Sequence, residues 1–187
     1  RVRSRVEFIG DGGADGTAGV GARGDSPPSE FDEHKELCKV AGDQAKGRTR
    51  IVAGTGGNST AEAIELTESA KKAGAAACLS VVPYYNKPTQ EGLYRHFRKI
   101  AETVDIPLIL YNVPGRTVAD MSNETTIRLA EVPGVVGIKD TTASIQRGTD
   151  LTNHAPQTSP LSSEAEYPAR ALILRDVPVV RSPPAHV

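Results

Sequence analysis

Between residues 31 and 145 the apolar positions switch repeatedly between two patterns. Compact apolar runs at 50–54, 77–82, 108–113 and 135–139 carry few charges and read as strands buried on both faces. Between them lie longer segments whose apolar residues return every three or four positions, as on one face of a helix. Residues 31–46 interleave charge with Leu37, Val40 and Ala41, and Gly47 closes that helix. Residues 61–73 follow the turn Asn58-Ser59-Thr60, with Glu62 in the first turn, Lys71 and Lys72 in the last, and Gly74 as the stop. Residues 89–104 place Leu93, Phe97, Ile100 and Ala101 on one stripe, and 123–130 form a shorter helix. Strands alternating with helices predict an α/β fold with a parallel sheet.

Both flanks are less regular. Residues 10–30 are rich in Gly, Ala, Asp and Pro around one weak strand at 17–20. After Asn153, residues 155–160 read as loop, 169–174 as a short helix, and 177–181 as a strand crowded by Pro178, Pro183 and Pro184. The βα alternation carries no repeat of sequence, which argues against a solenoid.

Composition narrows the classes. A chain of 187 residues is long enough for one domain with a proper core. Its formal net charge of -1 gives no field to draw it to nucleic acid or an anionic membrane. No apolar run approaches the roughly 18–20 residues of a membrane span, and Arg1-Val2-Arg3-Ser4-Arg5 is not followed by the apolar core of a secretory signal. Cys38 and Cys78 form no CxxC, and His34, His96, His154 and His186 are scattered, so no metal-ligand spacing is present. This composition fits a soluble protein of the reducing cytoplasm, without a disulfide framework.

Chemistry concentrates at strand ends, where (β/α) barrels place their active sites. Those ends read Pro83-Tyr84-Tyr85-Asn86, Tyr111-Asn112-Val113-Pro114-Gly115-Arg116 and Gly137-Ile138-Lys139-Asp140. Lys139 closes an apolar strand, so its amine is expected to be partly desolvated and able to attack a carbonyl to form an imine. Tyr111, one βα unit earlier, is placed to move protons. Arg116 offers a planar fork for a carboxylate. Three other patterns carry less. Gly54-Thr55-Gly56-Gly57 lacks the third glycine and acidic partner of a dinucleotide loop. Arg23-Gly24-Asp25 is an adhesion-like tripeptide in a cytosolic context. Asn58-Ser59-Thr60 and Asn123-Glu124-Thr125 fit a glycosylation pattern, although the first more simply caps a helix.

Four segments in order, Ala53-Gly54-Thr55-Gly56-Gly57-Asn58-Ser59-Thr60, Val82-Pro83-Tyr84-Tyr85-Asn86-Lys87-Pro88, Leu110-Tyr111-Asn112-Val113-Pro114-Gly115-Arg116-Thr117 and Gly137-Ile138-Lys139-Asp140, resemble the dihydrodipicolinate synthase family. The resemblance implies a homotetrameric (β/α)8 lyase of the cytoplasm that needs no metal or organic cofactor. It would condense pyruvate with aspartate semialdehyde toward lysine and diaminopimelate. Carried over by position, Lys139 would hold pyruvate as the imine, Tyr111 would relay protons, and Tyr85 would reach into the neighbouring subunit's site. Arg116 would receive the semialdehyde carboxylate, and Asn58, Glu62 and Tyr84 match positions that bind feedback-inhibiting lysine in some members.

The chain also departs from the family. Where the family has Gly-Thr-Thr-Gly-Glu-Ser, this sequence has Gly21-Ala22-Arg23-Gly24-Asp25-Ser26, so two hydroxyls of the proton relay and carboxylate cradle are replaced. The resemblance finds no counterpart of the family's first strand, sets Arg181 where its eighth strand is apolar, and does not reach its final helices. The expectation is therefore one domain, 1–187, forming an incomplete (β/α) barrel with a family-like core at 31–150 and divergent flanks at 1–30 and 151–187. Two alternatives stay open: another pyruvate-imine aldolase, of the N-acetylneuraminate lyase or sugar-acid aldolase kind, and a non-catalytic fragment.

Overall fold

The computed structural model describes residues 16–19, 40, 43, 50–142, 144–154 and 161–163. Six parallel strands form one sheet in the order of the chain: β1 (Gly16–Gly19), β2 (Arg50–Gly54), β3 (Ala77–Val81), β4 (Leu108–Asn112), β5 (Val135–Asp140) and β6 (Leu161–Ser163). The helices that follow are α1 (Thr60–Lys72), α2 (Gln90–Thr103), the short α3 (Pro114–Thr117), α4 (Asn123–Ala130) and α5 (Ile145–His154). Crossovers between parallel strands are right-handed. Since every step here advances in the same direction, the helices fall on one face of the sheet. That is barrel winding, and it differs from a doubly wound sheet, whose strand order reverses.

The strands form where the apolar runs are, because each is covered on both sides. Leu108, Leu110 and Ile138 face the helices and join Leu93, Phe97, Ile100, Met121, Leu129 and Leu151 in the larger core. Val52, Ala77, Leu79, Tyr111 and Val113 pack together on the opposite, interior face. Successive side chains of a strand alternate between faces, so each strand feeds both cores.

Helix ends follow local chemistry. Thr89 caps α2 by accepting a hydrogen bond from the Gly92 amide, and Ser122 caps α4 by accepting from the Thr125 amide. Gly74, at φ +83°, supplies the left-handed turn that releases the chain from α1 into β3. Ser59 holds the N-cap position of α1 but makes no side-chain capping bond; the neighbouring Thr60 hydroxyl instead bonds His96 Nδ1 at 2.8 Å.

Expected elements between 50 and 140 appear with small shifts at their ends. The weak strand expected at 17–20 occurs at 16–19. Of the helix expected at 31–46, Val40 and Asp43 are described, and both are helical. Helix α5 and strand β6 have no counterpart in the sequence reading. The helix expected at 169–174 and the strand at 177–181 lie outside the described residues, as do Ala22, Arg23 and Arg181. Among the described residues, no helix is long and apolar enough to cross a membrane.

Candidate active site

The pairing of β4 with β5 sets Tyr111 opposite Lys139 at the carboxyl end of the sheet. Both side chains lie on the interior face. Lys139 Nζ stands 4.7 Å from the centroid of the Tyr111 ring, a cation–π distance that keeps the amine over the phenol. Tyr111 is buried and Lys139 half-buried, so the pair is neither sealed in the core nor free in solvent. One lysine and one phenol are thus joined at a rim, an arrangement able to offer a carbonyl carbon a nucleophile and a proton donor together.

Arg116 stands on the same rim. Beyond Asn112 the chain turns at once into α3, started by Pro114 in the first turn, where its fixed φ suits a helix. The Arg116 amide donates to the Val113 carbonyl at 2.9 Å, and the side chain is exposed. Val118 then leaves α3 at φ +60°, while the buried Thr117 hydroxyl bonds the carbonyls of Val113 and Ala119.

Tyr85 behaves differently. It is 89% exposed in the loop after β3 and adopts φ +73°. A bulky residue there is strained by about 1–3 kcal/mol and persists only where its surroundings fix it. One restraint is visible: Asn86 Nδ2 donates to the Asn58 carbonyl at 2.8 Å, tying the loop after β3 to the loop after β2. Tyr85 therefore projects from the surface of the chain and does not pack on the Tyr111–Lys139 pair. Asn58, Glu62 and Tyr84 sit on those two neighbouring loops and the first turn of α1, with Glu62 and Tyr84 exposed and Asn58 half-buried.

A polar cluster on the other face of the same strand ends was not foreseen. Asn112 is fully buried; its amide donates to Asp120 at 2.9 Å and, at the long limit of 3.5 Å, to Asp140, and its carbonyl Oδ1 accepts from the Met121 amide. Arg147 in α5 donates Nε to Asp140 Oδ2 at 2.7 Å and pairs Nη1 with Asp120 at 3.1 Å. No local pattern pointed to it, because Arg147 lies in the first turn of α5, a helix that the apolar spacing does not show. Among the described residues no three His, Cys, Asp or Glu side chains gather to hold a metal ion.

A sequence model of the Dihydrodipicolinate synthetase family matches residues 1–165. The chain belongs to that family. It is 60% identical over 174 residues to the 4-hydroxy-tetrahydrodipicolinate synthase of Nitrosomonas eutropha, covering 93% of this chain and 60% of that one. The corresponding protein of Aromatoleum aromaticum is 58% identical over the same shares. Among solved structures, dihydrodipicolinate synthase from Aquifex aeolicus superposes with a TM-score of 0.84 at 41% identity, over 87% of this chain and 56% of that one. The chloride-inhibited synthase from Acinetobacter baumannii, complexed with pyruvate, gives 0.83 at 49% identity over the same shares. The family member from Cyanidioschyzon merolae, with lysine bound, gives 0.82 at 37% identity, over 87% and 55%. The described strands are thus six consecutive strands of a (β/α)8 barrel, and the chain spans 60% of the length of the two curated relatives named.

Proposed function

We propose that this chain carries the chemistry of a 4-hydroxy-tetrahydrodipicolinate synthase, condensing pyruvate with aspartate semialdehyde through an imine on Lys139. The observation that supports this most is the amine of Lys139 held 4.7 Å over the Tyr111 ring at the carboxyl end of a family barrel. The Lys139 amine adds to the ketone carbon of pyruvate, and the carbinolamine then loses water to give the imine. Loss of a methyl proton yields the enamine, whose carbon attacks the aldehyde of the acceptor. Tyr111 carries protons to and from the carbinolamine oxygen. Arg116, exposed on the same rim, takes the acceptor's carboxylate as a two-pronged donor. No step calls for a metal or an organic cofactor.

Tyr85 fits this scheme as a residue lent to a second copy. Its exposure and constrained backbone suit a side chain presented to a neighbouring subunit, in a homo-oligomer of the cytoplasm. Asn58, Glu62 and Tyr84, close together on adjoining loops, are the candidate lysine site, in keeping with the lysine-bound relative. Ala22, which stands where the family has a threonine, removes a hydroxyl from the relay. Turnover is therefore expected below that of a full synthase, by up to roughly 10²–10⁴-fold.

A substrate panel tests the assignment. Consumption of aspartate semialdehyde that depends on pyruvate supports the synthase reading. Cleavage of N-acetylneuraminate without semialdehyde turnover would replace it with the sialic-acid aldolase reading.

A further inference from the structure

Lys139 and Tyr111 are held by backbone pairing, but the segments just beyond them need another restraint. Two strand ends turn here into loops, one carrying Arg116 and the other leading to α5. The polar cluster behind the rim connects them. Asp140 follows Lys139 directly, and its Oδ1 accepts from the Thr142 amide at 2.8 Å. Asp120 and Met121 close the loop that begins at Val113 and carries Arg116. The Arg147 guanidinium reaches both: Nε to Asp140 at 2.7 Å, Nη1 to Asp120 at 3.1 Å, and Nη2 to the Met121 carbonyl. Its side chain is 14% exposed and that of Asp140 13%.

Two carboxylates therefore approach one guanidinium, that of Asp140 mostly buried with it and that of Asp120 half-exposed, and the buried Asn112 amide donates to both. A planar, permanently charged fork can satisfy acceptors on two separate loops at once; a lysine ammonium on a flexible stem holds them less specifically. The exposed pair of Arg95 with Glu91, by contrast, joins neighbouring turns of one helix and links no two loops.

We propose that Arg147 is a positioning residue: it locks the Arg116 loop to the end of the Lys139 strand, setting the acceptor's carboxylate site against the imine nitrogen. This rests on the imine reading given above. Two readouts separate the claims. Amide hydrogen exchange reports the lock without any substrate, and borohydride trapping of pyruvate at Lys139 reports its chemical effect. In Arg147→Lys, exchange is expected to quicken in 113–122 and 140–142 while β2 and β3 stay protected. Trapping at saturating pyruvate should slow roughly 10- to 100-fold, the cost of a small misplacement. Asp120→Asn, altered at a half-exposed carboxylate, keeps the Asp140 contact. It should loosen only 113–122, raise the KM for the semialdehyde, and leave trapping within about threefold of the parent. Arg95→Lys is the control and should change neither readout. Unchanged exchange at both segments in Arg147→Lys overturns the proposal, whatever the activity. If the parent chain traps no pyruvate, the imine reading fails by itself, and the exchange comparison still decides whether Arg147 is the lock.

Discussion

An alanine at position 56 would put its Cβ 2.3 Å from the Val81 backbone nitrogen and 2.6 Å from Val81 Cγ1. The side-chain clash could be relieved by a rotamer change, but the backbone clash could not. Val81 ends β3, a strand held on both sides. Val81 pairs with Tyr111, the Val82 amide donates to the Tyr111 carbonyl at 2.8 Å, and the Thr55 amide donates to the Leu79 carbonyl at 2.9 Å. Any retreat must break one of these contacts. Overpacking costs about 1–3 kcal/mol, and a lost ladder bond adds about 0.5–1.5 kcal/mol, so Gly56→Ala should destabilise by about 2–4 kcal/mol. Gly57, its neighbour, makes a clean comparison. A Cβ there would meet Ser59 O at 3.7 Å and Ala63 N at 3.8 Å, ordinary contact distances. Gly57→Ala should stay within about 1 kcal/mol of the parent, helped by a less flexible unfolded chain. Urea unfolding followed by circular dichroism reads both, and at this chain size the Gly56 variant should melt about 4–16 °C lower. Equal stability of the two variants would refute the close approach of the 55–57 loop to the end of β3.

Two further outcomes follow from single side chains. His96 is 6% exposed, and burial pulls its pKa from 6.5 to about 4. Its unfolded form takes up a proton first, so the stability that burial confers is complete above about pH 6.5 and fades as pH falls toward about 4. Between about pH 7.5 and about pH 5 the parent should lose about 2 kcal/mol more than His96→Gln, which does not titrate; parallel pH profiles in urea unfolding would exclude this. Tyr111→Phe keeps the ring under Lys139 but removes the hydroxyl. It should slow imine formation by roughly 10²–10⁴-fold with little change in melting, and trapping at the parental rate would remove Tyr111 from the proton relay.

The four strands at 50–54, 77–81, 108–112 and 135–140 were legible because burial on both faces leaves a continuous apolar run. The amphipathic helices α1 and α2 were legible for the matching reason on one face. Helix α5 was not: Gly148, Thr149 and Asp150 interrupt any stripe, and the helix forms because Ser144 bonds the Arg147 amide at 3.2 Å and Leu151 is buried. At the site, Tyr111, Arg116 and Lys139 could be named from motif and strand position. Their mutual placement depends on sheet register, with Tyr111 opposite Lys139, which no local pattern encodes. The conformation of Tyr85 and the reach of Arg147 to Asp140 and Asp120 are tertiary facts. Each arises from contacts between segments whose sequences carry no mark of one another.

The most direct test of the central claim is to incubate the purified chain with pyruvate, reduce with borohydride, and map the adduct by peptide mass spectrometry. The imine reading requires a pyruvate adduct on Lys139 that disappears in Lys139→Ala while the circular-dichroism melt is retained. No adduct from a chain that melts cooperatively, or an adduct spread over other lysines such as Lys87, would contradict it.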